Sequence, residues 1–310
     1  MKIVTKMTSD ERKTEFIIFL KAHVNSAPKY ISALERGFSE APVKNYKSIY
    51  DVSNPELLED LVATKGLRES SAFTRATSGG TSGLAGLNWY IRFLKDSRDS
   101  YYDFMNHFGI KPKDLFDWGV NAIVFPSDKM VDIEWQNLKR RIFNNEAVYI
   151  RGYGRDAHGT KMYTDFYGYA FKNFHVIKDP TNNNRPQANI KKMTGLTRNK
   201  DIYNYQVSHI WGRTKNLFLF EAPWNVCYMP KIIDPFTGHE TKGDLPVDFQ
   251  EYFIKKVQKK YRKYIDDYNS IISTYNINKL LSDYCSSNGI NDSQFVNDAA
   301  NELSIIPIIK

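Results

Sequence analysis

At 310 residues the chain is long for one hydrophobic core and comfortable for two. Forty-three Lys and Arg against 35 Asp and Glu give a net charge of +8, which favours a polyanionic partner; the two cysteines, Cys227 and Cys285, lie far apart without any C-x-x-C and support neither a zinc ribbon nor a disulfide framework. No apolar run approaches the roughly 18 residues of a membrane span, and MKIVTKMTSDERKTEF turns polar too soon for a signal peptide, so a soluble, cytoplasmic protein with no membrane partner is expected.

Residues 8–115 read as helical. In TSDERKTEFIIFLKAH, Ser9 stands at the start and Phe16, Phe19, Leu20 and Val24 fall on one stripe at helical spacing. NPELLEDLVATKGL opens on a proline at the first turn and closes near Gly66. In RATSGGTSGLAGLNWYIRFLKDS a glycine-rich lead, capped by Thr81 or Ser82, precedes a helix with Leu84, Leu87, Tyr90, Ile91 and Leu94 at helical intervals. No Gly-Lys-Ser/Thr follows Gly79, Gly80 and Gly83, and no strand pattern precedes them, so a phosphate-binding loop is not supported.

From about 118 to 210 the texture changes. AVYIRGYGRDAHGTKMYTDFYGYAFKNFHVI alternates aromatic and polar residues between glycines, which predicts short antiparallel strands, and KDPTNNNRPQANIKKMTG reads as a polar loop with Arg185, Lys191 and Lys192 at the surface. LPVDFQEYFIKKVQKKYRKYIDDYNSIISTY predicts a long helix with Phe249, Phe253, Val257, Tyr264 and Tyr268 on its core face; its lysine-rich face is either solvated or a contact to a phosphate backbone.

Between these lies NYQVSHIWGRTKN, a strand that stops on His209, followed by Asn225 sixteen residues later and by His239 after the turn DPFTG. Hydrolysis of a phosphodiester needs a base to deprotonate water and a positive group to absorb charge on the phosphate and the leaving oxygen. A histidine at a strand end suits the first task, provided its second ring nitrogen is held by a backbone carbonyl or carboxylate. The loop from Trp211 to Pro223 can supply that carbonyl, and an asparagine, with both a donor and an acceptor, can pin the loop. Arg198, Arg213 and Lys215 lie around the base and predict a grip on flanking phosphates. His23, His107, His158 and His175 have no such partners in spacing and read as structural or surface residues.

His209, the polar loop, Trp224-Asn225 and His239, in that order, resemble the ββα-metal core of the HNH endonucleases. The resemblance covers about residues 205–260 and departs from the common pattern in carrying Ser208, a weak ligand, before the histidine. It implies His209 as general base, Asn225 as the residue that orients the loop or ligates metal, His239 as a metal ligand or phosphate contact, and Mg²⁺ or Mn²⁺ as cofactor.

The expected fold is α+β: a helical N-terminal region over 1–117 that could recognise DNA, then 118–310 with an antiparallel β-rich middle, a ββα-metal nuclease core at about 203–262 and C-terminal helices. The expected function is a metal-dependent endonuclease cutting double-stranded DNA, of restriction type, acting as a homodimer. The alternatives are a non-catalytic DNA-binding protein with a nuclease-like fold, and an RNA-directed nuclease whose aromatic residues stack unpaired bases.

Overall fold

The computed structural model describes residues 7–40, 46–63, 82–97, 99–152, 160–238 and 241–309. The chain divides into two compact units, Met1–Lys111 and Pro112–Lys310. No helix among the described residues is long and apolar enough to cross a membrane.

The first unit is helical: α1 (Ser9–His23), α2 (Ala27–Glu40), α3 (Pro55–Ala63), α4 (Ser82–Asp96) and α5 (Ser100–Phe108). Helix α1 is capped one residue earlier than the sequence suggests. The Thr8 hydroxyl accepts from the Glu11 amide at 3.3 Å, and the Glu11 carboxylate accepts from the Thr8 amide at 2.8 Å, so two amides without helical partners are satisfied reciprocally. Phe16 and Leu20 from the anticipated stripe meet Leu34, Val52, Leu87, Tyr90 and Leu94 in one core. The Tyr90 ring stands edge-on to Phe16 at 5.1 Å, and its hydroxyl donates to the Val52 carbonyl at 2.9 Å. Gly86 lets α4 approach α2 closely, because a Cβ there would sit 2.7 Å from the Tyr30 carbonyl oxygen. Thr81, Gly79, Gly80 and Gly66 lie outside the described residues.

The second unit begins earlier than position 118. Helix α6 (Pro112–Ala122) belongs to it because its apolar face packs there: Phe116 meets Phe249 edge-on at 5.4 Å, and Gly119 lies against Ile233. Then follow α7 (Asp128–Phe143), β1 (Val148–Ile150), α8 (Thr160–Phe171), β2 (Val176–Lys178), α9 (Asn184–Thr194), β3 (Tyr205–His209), β4 (Val226–Pro230), a 3₁₀ turn at Asp234–Thr237, α10 (Asp244–Ser273), α11 (Ile277–Asn288) and α12 (Ser293–Glu302).

The antiparallel β-rich middle is corrected. Among the described residues, 118–204 is mostly helical, and β1 and β2 are three-residue strands paired in parallel across α8. The aromatic residues taken for strand alternation are helical in spacing: Tyr163, Phe166, Tyr167 and Phe171 are all buried on one side of α8. The expected loop KDPTNNNRPQANIKKMTG is largely α9. Its start is organised by the buried Asp179, whose carboxylate accepts from the amides of Thr181, Asn184 and Arg185 at 3.0, 3.1 and 2.8 Å.

Strands β3 and β4 pair antiparallel, with His209 opposite Val226 and Ser208 opposite Cys227. Strand β3 is only half-buried, with Val207 its buried member, whereas β4 is buried throughout. Behind them the core is aromatic. Trp135 and Trp224 meet edge-on at 5.5 Å, and Phe249, Phe253, Val257, Tyr264 and Tyr268 of α10 are buried as their spacing predicts. On the outer side of α10 four cations have carboxylate partners: Lys255 with Glu251, Lys260 with Asp128, Lys263 with Asp132 and Arg262 with Asp266. That face is exposed and partly charge-paired.

Candidate active site

The site is built by one β-hairpin whose connection is unusually well anchored. Strand β3 ends at His209, and residues 210–225 double back to β4. Asn225, wholly buried, bonds across this loop: Oδ1 accepts from the Trp211 amide at 2.9 Å, and Nδ2 donates to the carbonyls of Leu219 at 2.9 Å and Gly212 at 3.4 Å. Its backbone carbonyl also accepts from the Ile210 amide at 2.9 Å. Both polar ends of the side chain are therefore spent on the loop. Asn225 holds the loop in place, and its Oδ1, the atom expected to face a metal, accepts from the Trp211 amide.

The loop returns the Phe220 carbonyl to the histidine. His209 Nε2 lies 3.0 Å from that oxygen, and the two rings stack at 5.3 Å with 15° between their planes. A carbonyl can only accept, so Nε2 carries the hydrogen and Nδ1 is left with the lone pair. Burial pushes the His209 pKa down to about 4; the Phe220 bond and the charge of Asp179 oppose the shift, and the cation of Arg151 adds to it. At neutral pH the ring is an uncharged acceptor in one tautomer.

His209 lines an open cleft of about 730 Å³ together with Arg151, Ser208, Trp211, Asp234 and Gly238. Arg151 is fixed there by its backbone, whose amide donates to the Thr214 carbonyl at 2.9 Å. Asp234 opens the 3₁₀ turn and takes a hydrogen bond from the Gln206 side-chain amide. The Asp234 carboxylate and the Ser208 hydroxyl are hard oxygen donors that line the same cleft as His209. That set suits a Mg²⁺-type cation that keeps most of its waters, and not a caged transition metal. No group of three or more His, Cys, Asp and Glu converges among the described residues. His239 lies outside the described residues, as does His158.

The cations expected to grip phosphate go elsewhere. Arg213 donates to the carbonyls of Ser304 and Ile305. Lys215 is buried, with its amide donating to Glu302 at 3.1 Å and its ammonium 5.0 Å from the Tyr163 ring centre. Both expected DNA contacts tie the loop to the C-terminal segment, Arg213 through its guanidinium and Lys215 through its backbone amide. Arg198 reaches Gln187 at 3.5 Å and is not among the residues lining the cleft.

Sequence reading missed Arg151, Asp179 and Asp234. Arg151 hides in the glycine-rich stretch that reads as strands and turns, and Asp234 in DPFTG, which reads only as a turn. The signal present for Asp179 was its place just before a proline and a run of asparagines, a pattern for a capping loop.

A family model described as Uncharacterised protein PM1201 matches residues 126–308. The protein of that description from Pasteurella multocida (strain Pm70) is 40% identical over 179 residues, which span 57% of this chain and 81% of that relative. No solved structure matches the chain. The stretch matched by the family model contains Arg151, Asp179, His209, Asn225 and Asp234 and falls within the second unit.

Proposed function

The chain belongs to the family described as Uncharacterised protein PM1201, and we propose that it is a metal-dependent endonuclease of the ββα-metal (HNH) kind, hydrolysing phosphodiester bonds of double-stranded DNA as a restriction-type enzyme. One observation carries the reading: a neutral histidine at a strand end, locked in its Nε2–H tautomer by a carbonyl on a loop that a buried asparagine pins, in an open cleft beside an arginine. Hairpin, loop and following helix come in the order that the resemblance requires.

In this reading His209 Nδ1 takes a proton from the attacking water while Nε2–H stays on the Phe220 carbonyl, a bond that strengthens as the ring becomes cationic. A base with a pKa near 4 is weak on its own. A bound phosphate strengthens it, because negative charge beside the ring favours the imidazolium. Arg151 takes the role first given to Arg213 and Lys215, offsetting phosphate charge. A Mg²⁺ or Mn²⁺ ion, when bound, supplies Lewis-acid stabilisation of the phosphate and the leaving oxygen. Asp234, Ser208 and His239 are its proposed protein ligands. A homodimer fits the need to cut both strands of a symmetric site.

For the RNA alternative, Trp135, Trp224, Tyr163, Tyr167 and Phe220 are interior and cannot stack on bases, which leaves only exposed aromatics such as Trp118, Phe174 and Tyr203 for that role. The non-catalytic alternative is separated by experiment. Supercoiled plasmid is incubated with the protein and Mg²⁺ or Mn²⁺, with and without EDTA, beside His209→Ala. Metal-dependent nicking that falls by about 10³-fold or more in His209→Ala, with DNA binding retained, is the expected result. Binding without any cleavage by the wild-type protein would make it a DNA-binding protein only.

A further inference from the structure

The residue after Phe220 is Glu221, whose side chain has no solvent exposure. Its Oε2 accepts from the Tyr149 amide at 2.9 Å and from Arg141 Nη1 at 3.3 Å; its Oε1 accepts from Arg141 Nη2 at 3.4 Å, Arg185 Nε at 3.4 Å and Asn189 Nδ2 at 3.5 Å. One carboxylate thus draws on α7, β1 and α9, all of them remote in sequence from the loop. Arg185 is held in turn over the Tyr149 ring at 4.5 Å, and Arg141 also donates to the Ala147 carbonyl at 2.8 Å.

A buried ion cluster of this kind is a poor source of net stability, since apolar side chains of equal volume serve as well, but it fixes the direction of a backbone more narrowly than packing does. Its position gives that rigidity a use. Residues 210–225 contain no regular strand or helix of their own beyond turns, and Asn225 holds the Leu219 carbonyl just ahead of Phe220 while Glu221 holds the chain just behind it. The carbonyl between these two anchors is the one that selects the His209 tautomer.

We propose that Glu221 is the positioning residue of the site: by tying the loop to α7, β1 and α9, its carboxylate aims the Phe220 carbonyl at His209 and so keeps Nδ1 available as a base. The geometric claim concerns the ring itself, while its catalytic consequence rests on the nuclease reading. Charged groups acting on the ring are Arg151 and Asp179, and neither is removed by changing Glu221.

The test is long-range ¹H–¹⁵N NMR of the imidazoles, with the His209 signals assigned by their loss in His209→Ala, on the wild-type chain and on Glu221→Gln. In the wild type a single Nε2–H tautomer is expected. In Glu221→Gln the two tautomers mix, and kcat for plasmid cleavage falls about 10- to 100-fold with KM changed by less than about twofold. A folded Glu221→Gln in which the single Nε2–H tautomer stays as in the wild type overturns the proposal, whatever the cleavage rate. Should that variant not fold, Arg141→Lys answers the same question: a smaller change of the same kind supports the proposal, and an unchanged His209 overturns it. Tautomer mixing in Glu221→Gln together with a wild-type chain that never cuts DNA would sink the nuclease reading and leave the positioning role standing.

Discussion

His209 owes its chemistry to its surroundings more than to its type. An ordinary histidine predicts a rate that climbs through neutrality; here burial moves the pKa to about 4, so the acid limb of kcat/KM belongs near pH 4–5 and the profile from 5.5 to 8.5 is flat. A limb centred near 6.5 in the free enzyme would show that the ring is solvated. The same shift sets a sign for stability. The folded pKa lies below the unfolded one, so the contribution of His209 is complete above about 6.5 and is lost as pH falls towards 4. Glu302 runs the other way. Burial, against the pull of the Lys215 amide and charge, lifts its pKa to about 7 from 4.5; its contribution is present below about 4.5 and disappears as pH rises through 7. Glu302→Gln keeps an acceptor for the Lys215 amide and is expected to raise the urea midpoint at pH 8 while leaving it unchanged at pH 4.5. Asn225→Ala strips partners from one amide and two carbonyls around a buried loop, which costs about 3 kcal/mol by urea denaturation, and plasmid cleavage should fail with it.

Among elements, the hairpin is held by what lies at its edges. Helix α6 reaches the 3₁₀ turn that carries Asp234 only because Gly119 has no side chain; a Cβ there would lie 2.9 Å from Ile233 Cγ2. Gly119→Ala should therefore cost about 1–3 kcal/mol and weaken Mn²⁺ binding, read by titration calorimetry, more than it weakens DNA binding. The C-terminal segment acts as a strap. Tyr268 donates to the Ser304 carbonyl at 3.0 Å, Asn269 exchanges bonds with Ile306 at 2.9 and 2.8 Å, Gln258 donates to the Pro307 carbonyl at 2.8 Å, and Arg213 joins the same stretch to the loop. The lysine-rich face of α10, which read more readily as a solvated surface than as a phosphate contact, gains ion pairs at Lys260 and Lys263 from Asp128 and Asp132 of α7. Those aspartates are more than a hundred positions away, so spacing along α10 could not reveal them.

For the molecule as a whole, the family match and the candidate site fall in the second unit, while the helical first unit lies outside the matched stretch. If cleavage resides in the second unit, a fragment of residues 112–310 should fold and nick plasmid in a metal-dependent way, with the first unit needed for choice of target. Sequencing of cut ends from the fragment and the full chain checks this: identical site preference in both would remove the first unit from recognition. Gly86→Ala gives the complementary measurement, since it places a Cβ against the Tyr30 carbonyl of the first unit and should lower only that unit's unfolding transition.

The amino-acid sequence by itself determined the amphipathic helices, whose stripes need only local period and turn signals, and the relation between His209 and Asn225, which is local to one hairpin. Tertiary structure decided the rest. It drew Arg213 and Lys215 into the C-terminal strap and brought Arg151 and Asp234 to the cleft. The reason is common to all of these: whether a side chain is solvated, paired or aimed at a cleft depends on neighbours contributed by distant segments, and the free energies of burial and pairing that settle it are set only when those segments meet.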